Sequence, residues 1–281
     1  MPTRPRLPLA GRTVVVTGAA KGIGAATARI AHARGASVAV LDVDGVGAQR
    51  LAHELGARTV GVQADVRDAE ALDAAVARVR DELGGVDVLV ANAGVAPPTT
   101  TVRTIDPADF ERTVEIDLLG QWRTIRAALP DVVDRHGHVV AISSIYAFFN
   151  GVLNASYAVS KAGLEALVRA LRAELAPHGA TAGVAYFGFV ATDLVDDAFA
   201  RPPVATFRRA LPAFLTRPIP VQVAARALVD GIEARAPRVT APAWVRPALA
   251  LRGLTDPLAD RVIAHRAAPA VRQAEASGDG G

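Results

Sequence analysis

Strand-like and helix-like segments alternate along the chain from Thr13 onward, and this alternation constrains the fold more than any other feature. Apolar strands are predicted at residues 13–17, 37–41, 59–63, 86–90, 137–142, 181–186 and 238–241. Helices are predicted between them, including residues 22–34, 68–83 and 221–234. Because neighbouring parallel strands need long crossover connections, the pattern predicts an α/β fold of the Rossmann type with a doubly wound, mostly parallel sheet.

The 281 residues suit one large domain better than two. We expect an N-terminal segment at 1–12, the Rossmann-type domain at 13–242 and a C-terminal extension at 243–281. Five prolines and three phenylalanines interrupt the pattern at about 193–220, and we interpret this segment as a lid. The last residues, 267–281, are expected to be frayed and flexible.

Composition excludes several classes of function. The chain has no cysteine, which removes disulfides, thiol nucleophiles and cysteine-bound zinc, and the six histidines lack metal-ligand spacing, so no metal is predicted. A net charge of +3 with interleaved arginine and acidic residues gives little support for nucleic-acid binding. No apolar run is long enough for a membrane span and no signal peptide is evident, so a cytoplasmic location is expected.

A glycine-rich loop lies between the first predicted strand and the first predicted helix. Gly18, Lys21, Gly22, Ile23 and Gly24 occupy this loop. Glycines there let backbone N–H groups and a helix N-terminus approach a pyrophosphate, which predicts dinucleotide binding. The alternative is a turn whose glycines serve only the close packing of helix against strand.

Two acidic residues at strand ends bear on the cofactor. Asp42 ends the second strand, where a carboxylate would bind both ribose hydroxyls and repel a 2′-phosphate, so NAD is favoured. Lys21 could instead meet a 2′-phosphate, which leaves NADP possible, or it could be a solvated loop residue. Asp65, followed by Val66, is placed to accept from an adenine amino group, with the N-cap of the helix at 68–83 as its alternative role.

Tyr157 and Lys161 are four residues apart in a predicted helix, so their side chains leave the same face. Lys161 is one of only two lysines, and Ser144 closes the strand that precedes this helix. For the Tyr157 phenol to lose its proton near neutral pH, its pKa must fall from ~10 to near 7, which requires about 4 kcal/mol of preferential stabilisation of the phenolate. One ammonium at ~4 Å, with an effective dielectric of ~20, supplies about that much.

With the glycine loop and Asn92-Ala93-Gly94, these residues resemble the short-chain dehydrogenase/reductase family over about residues 10–242. The resemblance implies that Tyr157 is the general acid/base, that Ser144 holds the substrate oxygen, and that Lys161 binds the nicotinamide ribose and lowers the Tyr157 pKa. It also implies cofactor contacts from Asn92 and Gly94.

The segment 187–192 is similar to the family's Pro-Gly-x-x-x-Thr motif. That similarity places the Val190 backbone and Thr192 at the carboxamide of the cofactor, although Thr192 could simply cap a lid helix. Phe187 replaces the usual proline, and Ala91 replaces the first asparagine of Asn-Asn-Ala-Gly. Both departures are expected to leave the chemistry intact.

Asp117 is a more serious departure, because the family has a catalytic asparagine there that helps hold a relay water. An ionised Asp117 would compete for Lys161 and raise the Tyr157 pKa. Our hypothesis is that Asp117 still orients the relay water and moves the pH optimum for oxidation upward. The alternative is a helix carboxylate paired with Arg123 or Arg126.

Seven of the eight phenylalanines lie between residues 148 and 214, which predicts an apolar pocket and a hydrophobic secondary alcohol or ketone as substrate. The resemblance implies a homodimer or homotetramer. A catalytically impaired NAD(H)-binding sensor and an isomerase or dehydratase are the alternatives, and the intact Ser-Tyr-Lys set argues against both. The extension from Trp244 to Arg261 could meet a membrane or a partner, or pack on its own subunit.

Overall fold

The computed structural model describes residues 6–278, with side chains through residue 276. Residues 1–5 of the predicted N-terminal segment and residues 279–281 of the predicted C-terminal extension therefore lie outside the described residues. Seven strands form one sheet: β1 (Thr13–Thr17), β2 (Ser37–Asp42), β3 (Thr59–Gln63), β4 (Val88–Ala91), β5 (His138–Ser144), β6 (Thr181–Phe187) and β7 (Arg238–Ala241). All pairings are parallel, in the order β3-β2-β1-β4-β5-β6-β7. The predicted Rossmann-type sheet is confirmed.

Eleven α-helices are found among the described residues. They are α1 (Gly22–Ala33), α2 (Gly45–Leu55), α3 (Ala69–Leu83), α4 (Pro107–Val114), α5 (Gln121–Asp134), α6 (Ala155–Glu174), α7 (Asp193–Ala200), α8 (Pro202–Arg209), α9 (Ala213–Thr216), α10 (Val221–Glu233) and α11 (Val245–Gly278). A π-helical turn, Glu115–Gly120, joins α4 to α5.

Helices cover both faces of the sheet, which explains why the strands are continuous apolar runs. Alanines and leucines of α1, α2 and α10 pack on one face, and α3, α5 and α6 pack on the other. The strand order reverses between β1 and β4, and ligands of such sheets bind at the carboxyl ends of the strands beside that point. The glycine loop and Asn92 both follow strands at this position.

Two strands differ from their predicted bounds by two residues at one end. Val86, predicted to begin β4, instead donates its backbone N–H to the Asp131 carboxylate. β5 continues past Ile142 because Ser143 and Ser144 remain in register with Tyr186 and Phe187 of β6. The polar serines had ended the apolar pattern, yet their backbones complete the ladder.

The C-terminal extension is a long helix that continues through residue 278, where the sequence pattern predicted frayed residues from 267 onward. Ala267, Ala270 and Ala274 are buried against Phe207 of α8 and Leu153. Polar contacts add to this packing, with Gln273 bonded to Thr206 and Glu275 paired with Arg103. Alanine is only weakly apolar, and Pro257 and Pro269 interrupt the helical pattern of the sequence although the helix continues through them, so the sequence did not predict this contact.

The first turns of α11 pack on the chain's own core, as one of the sequence interpretations held. Val245 and Leu249 are buried, and Arg252 makes two hydrogen bonds, of 2.8 and 2.9 Å, to the buried Glu165 carboxylate of α6. No helix among residues 6–278 is both long and apolar enough to cross a bilayer.

Candidate active site

The glycine loop follows β1, and its glycines are required by close packing. Gly18 has φ +62°, and a Cβ there would lie 2.8 Å from the Cα of Ala93. A Cβ on Gly24 would collide with the Gly18 carbonyl and lie 2.7 Å from Asn92 Nδ2. Packing and phosphate binding are compatible, because the same bare backbone leads into the N-terminus of α1, where free N–H groups favour anions.

Asn92 holds this loop in place rather than projecting away from it. Its Nδ2 donates to the carbonyl oxygens of Thr17 and Gly18, both at 2.9 Å, and its backbone N–H donates to Thr17 Oγ1. Gly94 lies against Asp117, since a Cβ there would be 3.1 Å from Asp117 Oδ2. The segment 92–94 thus connects the glycine loop to the interior of the site.

Asp42 is the last residue of β2, as predicted. One carboxylate oxygen accepts from the backbone N–H of Ala20 at 2.8 Å, and the other accepts from the backbone N–H of Asp44 at 3.0 Å. The Lys21 ammonium lies 3.7 Å from Asp193 at the start of α7, and both side chains are largely exposed. The solvated alternative for Lys21 fits this position, and an exposed pair of this kind adds little stability.

Asp65 is paired with Arg67, whose guanidinium donates to both carboxylate oxygens at 2.6 to 3.1 Å. This hydrogen bonding lowers the pKa of Asp65. The alternative in which Asp65 is the N-cap of α3 is wrong, because Asp68 accepts from the first-turn N–H groups of Glu70 and Ala71. Neighbouring Val66 is buried close to Gly120.

Ser144, Tyr157 and Lys161 converge where β5 ends and α6 begins. The Ser144 side chain lies next to the Tyr157 hydroxyl, and Lys161 Nζ lies 5.1 Å from the Tyr157 ring centroid. Lys161 is buried and donates to the carbonyl oxygen of Ile142 at 3.2 Å, while Ser143 Oγ donates to the Lys161 carbonyl. The structure therefore brings together the three residues that the sequence singled out.

Asp117 lies in the π-helical turn and is completely buried. Its Oδ2 is 3.1 Å from Lys161 Nζ, and its Oδ1 accepts from the backbone N–H of Val95 at 2.8 Å. The alternative pairing with Arg123 or Arg126 is wrong, because those arginines pair with Glu115 and Asp73. Asp117 instead faces Lys161.

The charges around Tyr157 oppose one another. Burial raises the pKa of the Tyr157 phenol, the Lys161 ammonium lowers it, and the Asp117 carboxylate raises it again, so that the net direction is upward. Burial opposes the charged form of Lys161, but Asp117 and Tyr157 outweigh burial and raise the Lys161 pKa. The lysine thus acts in the expected direction, without overcoming burial and Asp117.

A second tyrosine lies beside the first and lacks such a cation. The Tyr146 ring makes an edge contact with Tyr157, with centroids 5.9 Å apart. Burial, with a further contribution from Tyr157, raises the pKa of Tyr146 to about 12. Of these two neighbouring phenols, Tyr157 is the one with a lysine ammonium over its ring.

The segment after β6 reaches the glycine loop. Val190 pairs with Ile219, which joins the two ends of the lid, and Thr192 precedes α7. The Thr192 hydroxyl donates to the Val190 carbonyl at 3.3 Å and makes no capping hydrogen bond to α7. A Cβ on Gly22 would lie 3.6 Å from the Thr192 methyl group, so this threonine faces the loop across the cleft.

Comparison with known proteins decides the family. The sequence model of the short chain dehydrogenases matches residues 12–202. The chain belongs to the short-chain dehydrogenase/reductase family. It is an oxidoreductase of that family, whose members bind a nicotinamide cofactor.

Its relatives within this family include dehydrogenases and reductases. The chain is 39% identical to cis-4-hydroxycyclohexanecarboxylate dehydrogenase of Sinomonas cyclohexanicum, over 66% of this chain and 76% of the relative. It is 34% identical to the 3-oxoacyl-[acyl-carrier-protein] reductase FabG of Escherichia coli K12, over 66% and 75%. A short chain dehydrogenase/reductase from Burkholderia phymatum, solved with NAD, has the same fold (TM-score 0.78, 21% identity, 90% of this chain and 96% of that chain).

This short-chain dehydrogenase/reductase has an apolar cavity of about 380 Å³ beside Tyr146. Phe149, Phe189 and Phe207 line it, as the clustered phenylalanines predicted, whereas Phe214 is 61% exposed. Sequence reasoning missed the opposite wall, which α11 and Trp244 supply: Trp244, Thr255, Leu258, Ala259, Val262, Ile263 and Arg266. Among the described residues, no group of His, Asp and Glu side chains could hold a metal ion.

Proposed function

We propose that this chain transfers a hydride between NAD and a hydrophobic secondary alcohol or ketone, with Tyr157 as general acid/base. One observation carries the proposal: Ser144 and Lys161 converge on the Tyr157 phenol, and an apolar cavity adjoins it through Tyr146. A phenol needs a nearby positive charge to work as a base near neutral pH, and Lys161 is buried at that place.

The three residues divide the work. Ser144 Oγ holds the substrate oxygen, and Tyr157 takes the hydroxyl proton during oxidation and returns it to the carbonyl oxygen during reduction. Lys161 stabilises the phenolate form of Tyr157. When bound, the nicotinamide supplies the acceptor or donor of the hydride.

Asp117 is a positioning residue in this scheme. Its carboxylate holds the Lys161 ammonium at 3.1 Å and accepts from the Val95 backbone, so it fixes where the lysine charge lies. We retain the hypothesis that it also orients a relay water. Its negative charge offsets part of the stabilisation that Lys161 gives the phenolate, which moves oxidation toward higher pH.

The cofactor would occupy the carboxyl ends of β1, β2 and β4. The bare backbone around Gly18 and the N-terminus of α1 fit a pyrophosphate. Asp42 favours NAD over NADP, because a carboxylate at the end of β2 would bind the ribose hydroxyls and repel a 2′-phosphate. The backbone N–H groups of Ala20 and Asp44 hold the Asp42 carboxylate in that position. The remaining proposed contacts are those of Lys21, Gly22, Ile23, Gly24, Asp65, Val66, Asn92, Gly94, Tyr157, Lys161, Val190 and Thr192.

The names of the relatives support this class of reaction. One is a dehydrogenase of a hydroxycyclohexane acid and the other is a reductase of 3-oxoacyl groups. Both names describe the interconversion of a hydroxyl and an oxo group on a carbon chain or ring.

The test is to titrate the protein with NADH and NADPH by nicotinamide fluorescence, then to add a panel of hydrophobic ketones. Tyr157→Phe should lower kcat by at least about a hundredfold, since general acid–base catalysis typically contributes 10²–10⁴. Tyr146→Phe should alter KM more than kcat. Tight NADH binding without turnover of any ketone would favour a sensor, and substrate conversion without net change in NADH would favour an isomerase or dehydratase.

We also propose a homodimer or homotetramer. Leu119, Trp122 and Val159 lie on the segments that carry Asp117 and Tyr157, and each is at least 37% exposed although apolar. Light scattering after size-exclusion chromatography tests this proposal, and a monomer at micromolar concentration would contradict it. The cytoplasmic location stays a prediction.

A further inference from the structure

The cavity beside Tyr146 is apolar but not electrically neutral. Two arginines, Arg208 of the lid helix α8 and Arg266 of α11, are among its lining residues, and its described lining includes no Asp or Glu. A purely hydrophobic substrate would give these cations no counter-charge. The charge of the lining therefore adds information about the substrate that its apolar side chains do not give.

Of these two arginines, Arg208 is the better candidate for binding a charged group of the substrate. Its guanidinium carbon lies 3.4 Å from the Phe199 ring centroid, and its Nε is buried without a hydrogen-bond partner in the structure. No ion pair to Arg208 is found within the described part of the chain. Burial lowers the pKa of this guanidinium, as expected for a cation removed from water without compensation.

Several other partly buried arginines among the described residues meet an acceptor within the chain. Arg252 meets the buried Glu165, and Arg34 meets both Asp230 and Glu233. Arg266, at the same cavity, donates to the backbone carbonyl of Ala210 at 3.0 Å. Because a desolvated cation is costly without an acceptor, an unpaired guanidinium on a cavity wall is expected where a ligand brings the anion.

We propose that Arg208 binds a carboxylate of the substrate, so that the substrates are hydrophobic hydroxy or oxo carboxylic acids. This inference rests on the proposed function, because the hydroxyl or oxo carbon must lie at Tyr157. Aromatic contacts link the two places: Tyr157 contacts Tyr146, Tyr146 contacts Phe189, Phe189 contacts Phe199, and Phe199 stacks under Arg208. The acid group thus lies away from the reacting carbon, with an apolar body between them.

A carboxylate fits better than a phosphate or a nucleotide carrier. The planar guanidinium matches a carboxylate with two parallel hydrogen bonds, and one arginine balances one negative charge. A volume of about 380 Å³ suits a small ligand. Arg208 and α11 also lie beyond residue 202, where the match to the family's sequence model ends, so the family match does not predict this feature.

The experiment compares two variants and two matched substrates. Arg208→Gln removes the proposed contact, and Arg209→Gln removes the same charge from the adjacent, exposed position. The substrates are a medium-chain secondary hydroxy acid and its primary amide. Loss of hydrogen bonds to a charged group predicts a 10- to 100-fold fall in kcat/KM for the acid with Arg208→Gln, mostly through KM, and little change for the amide. Arg209→Gln should behave like the unmodified protein.

A binding measurement separates this inference from the proposed function. Octanoate and octanamide are added to the NADH-bound protein, and thermal stabilisation is compared among the unmodified protein, Arg208→Gln and Arg208→Lys. Octanoate should stabilise the unmodified protein more than octanamide does, with the difference lost in Arg208→Gln and partly kept in Arg208→Lys.

Each outcome has a separate meaning. Equal turnover of acid and amide, unchanged in Arg208→Gln, would overturn the carboxylate site while leaving the dehydrogenase function intact. Octanoate binding that depends on Arg208, without turnover of any alcohol, would support the site and contradict the proposed reaction. Stronger Arg208-dependent stabilisation by octyl phosphate would overturn the assignment to a carboxylate.

Discussion

The Asp117 carboxylate and the Lys161 ammonium lie 3.1 Å apart, with side chains 0% and 4% exposed. The same ammonium lies over the Tyr157 ring, so one cation serves two potential anions. Removing one member of a buried ion pair usually leaves an uncompensated charge. If Asp117 is removed, however, the Tyr157 phenolate can still balance the charge of the Lys161 ammonium. The chemistry of this site therefore depends on how Lys161 is shared.

Asp117→Asn should move the pH profile of alcohol oxidation to lower pH. Asp117 raises the pKa of Tyr157, so its neutralisation lowers that pKa, and phenolate forms at lower pH. A charge removed at this range corresponds to roughly one pH unit. The measurement is kcat/KM for oxidation against pH.

Glu115→Gln is the matched control, because Glu115 belongs to the same π-helical turn but pairs with Arg123. It should leave the profile within about 0.3 pH unit, since a partly exposed pair is screened. Identical profiles for Asp117→Asn and the unmodified protein would contradict the role assigned to Asp117.

Asp42→Ala should weaken NADH binding by about tenfold and reduce the preference for NADH over NADPH, because the carboxylate proposed to accept from the ribose hydroxyls is lost. Fluorescence titration with each cofactor measures this. Asp44→Ala is the control: Asp44 caps α2 through Gly47, so its loss should cost about 1 kcal/mol of stability and leave the cofactor preference unchanged. An unchanged preference in Asp42→Ala would rule out Asp42 as the selector.

Gly24→Ala should abolish cofactor binding and lower the melting temperature. The added methyl would meet the Gly18 carbonyl and the Asn92 amide, both of which shape the loop. Gly253→Ala provides the contrast, since no atom lies within 4 Å of its Cβ position in α11, and there alanine should stabilise the protein by about 0.5–1 kcal/mol. Normal NADH affinity in Gly24→Ala would contradict this account of the loop.

Ala270→Asp should destabilise the contact between α11 and the lid and raise KM for hydrophobic substrates more than it changes kcat. Ala270 is 0% exposed against α8, and a buried unpaired carboxylate there costs several kcal/mol. The same substitution at the exposed Ala264 should leave both quantities nearly unchanged. Thermal unfolding and steady-state kinetics measure the two effects, and equal behaviour of the two variants would show that the end of α11 does not support the site.

The sequence by itself determined the parallel sheet, the glycine loop and the meeting of Ser144, Tyr157 and Lys161. Each of these depends on a local pattern: apolar runs of strand length, glycines between a strand and a helix, and a four-residue helical spacing. Such signals survive without knowledge of the rest of the chain, because backbone geometry fixes their consequences.

Only the tertiary structure decided which partner each buried or partly buried charge meets. From the sequence, Asp117 had Lys161 and two arginines as possible ion-pair partners. In the structure its place in the π-helical turn directs its carboxylate toward Lys161. The sequence likewise did not predict that the alanine face of α11 is buried or that Arg208 has no ion-pair partner. Contacts between segments so distant in sequence depend on how helices cross and which faces they bury, and weakly apolar alanines and solitary arginines leave no periodic signal of that choice.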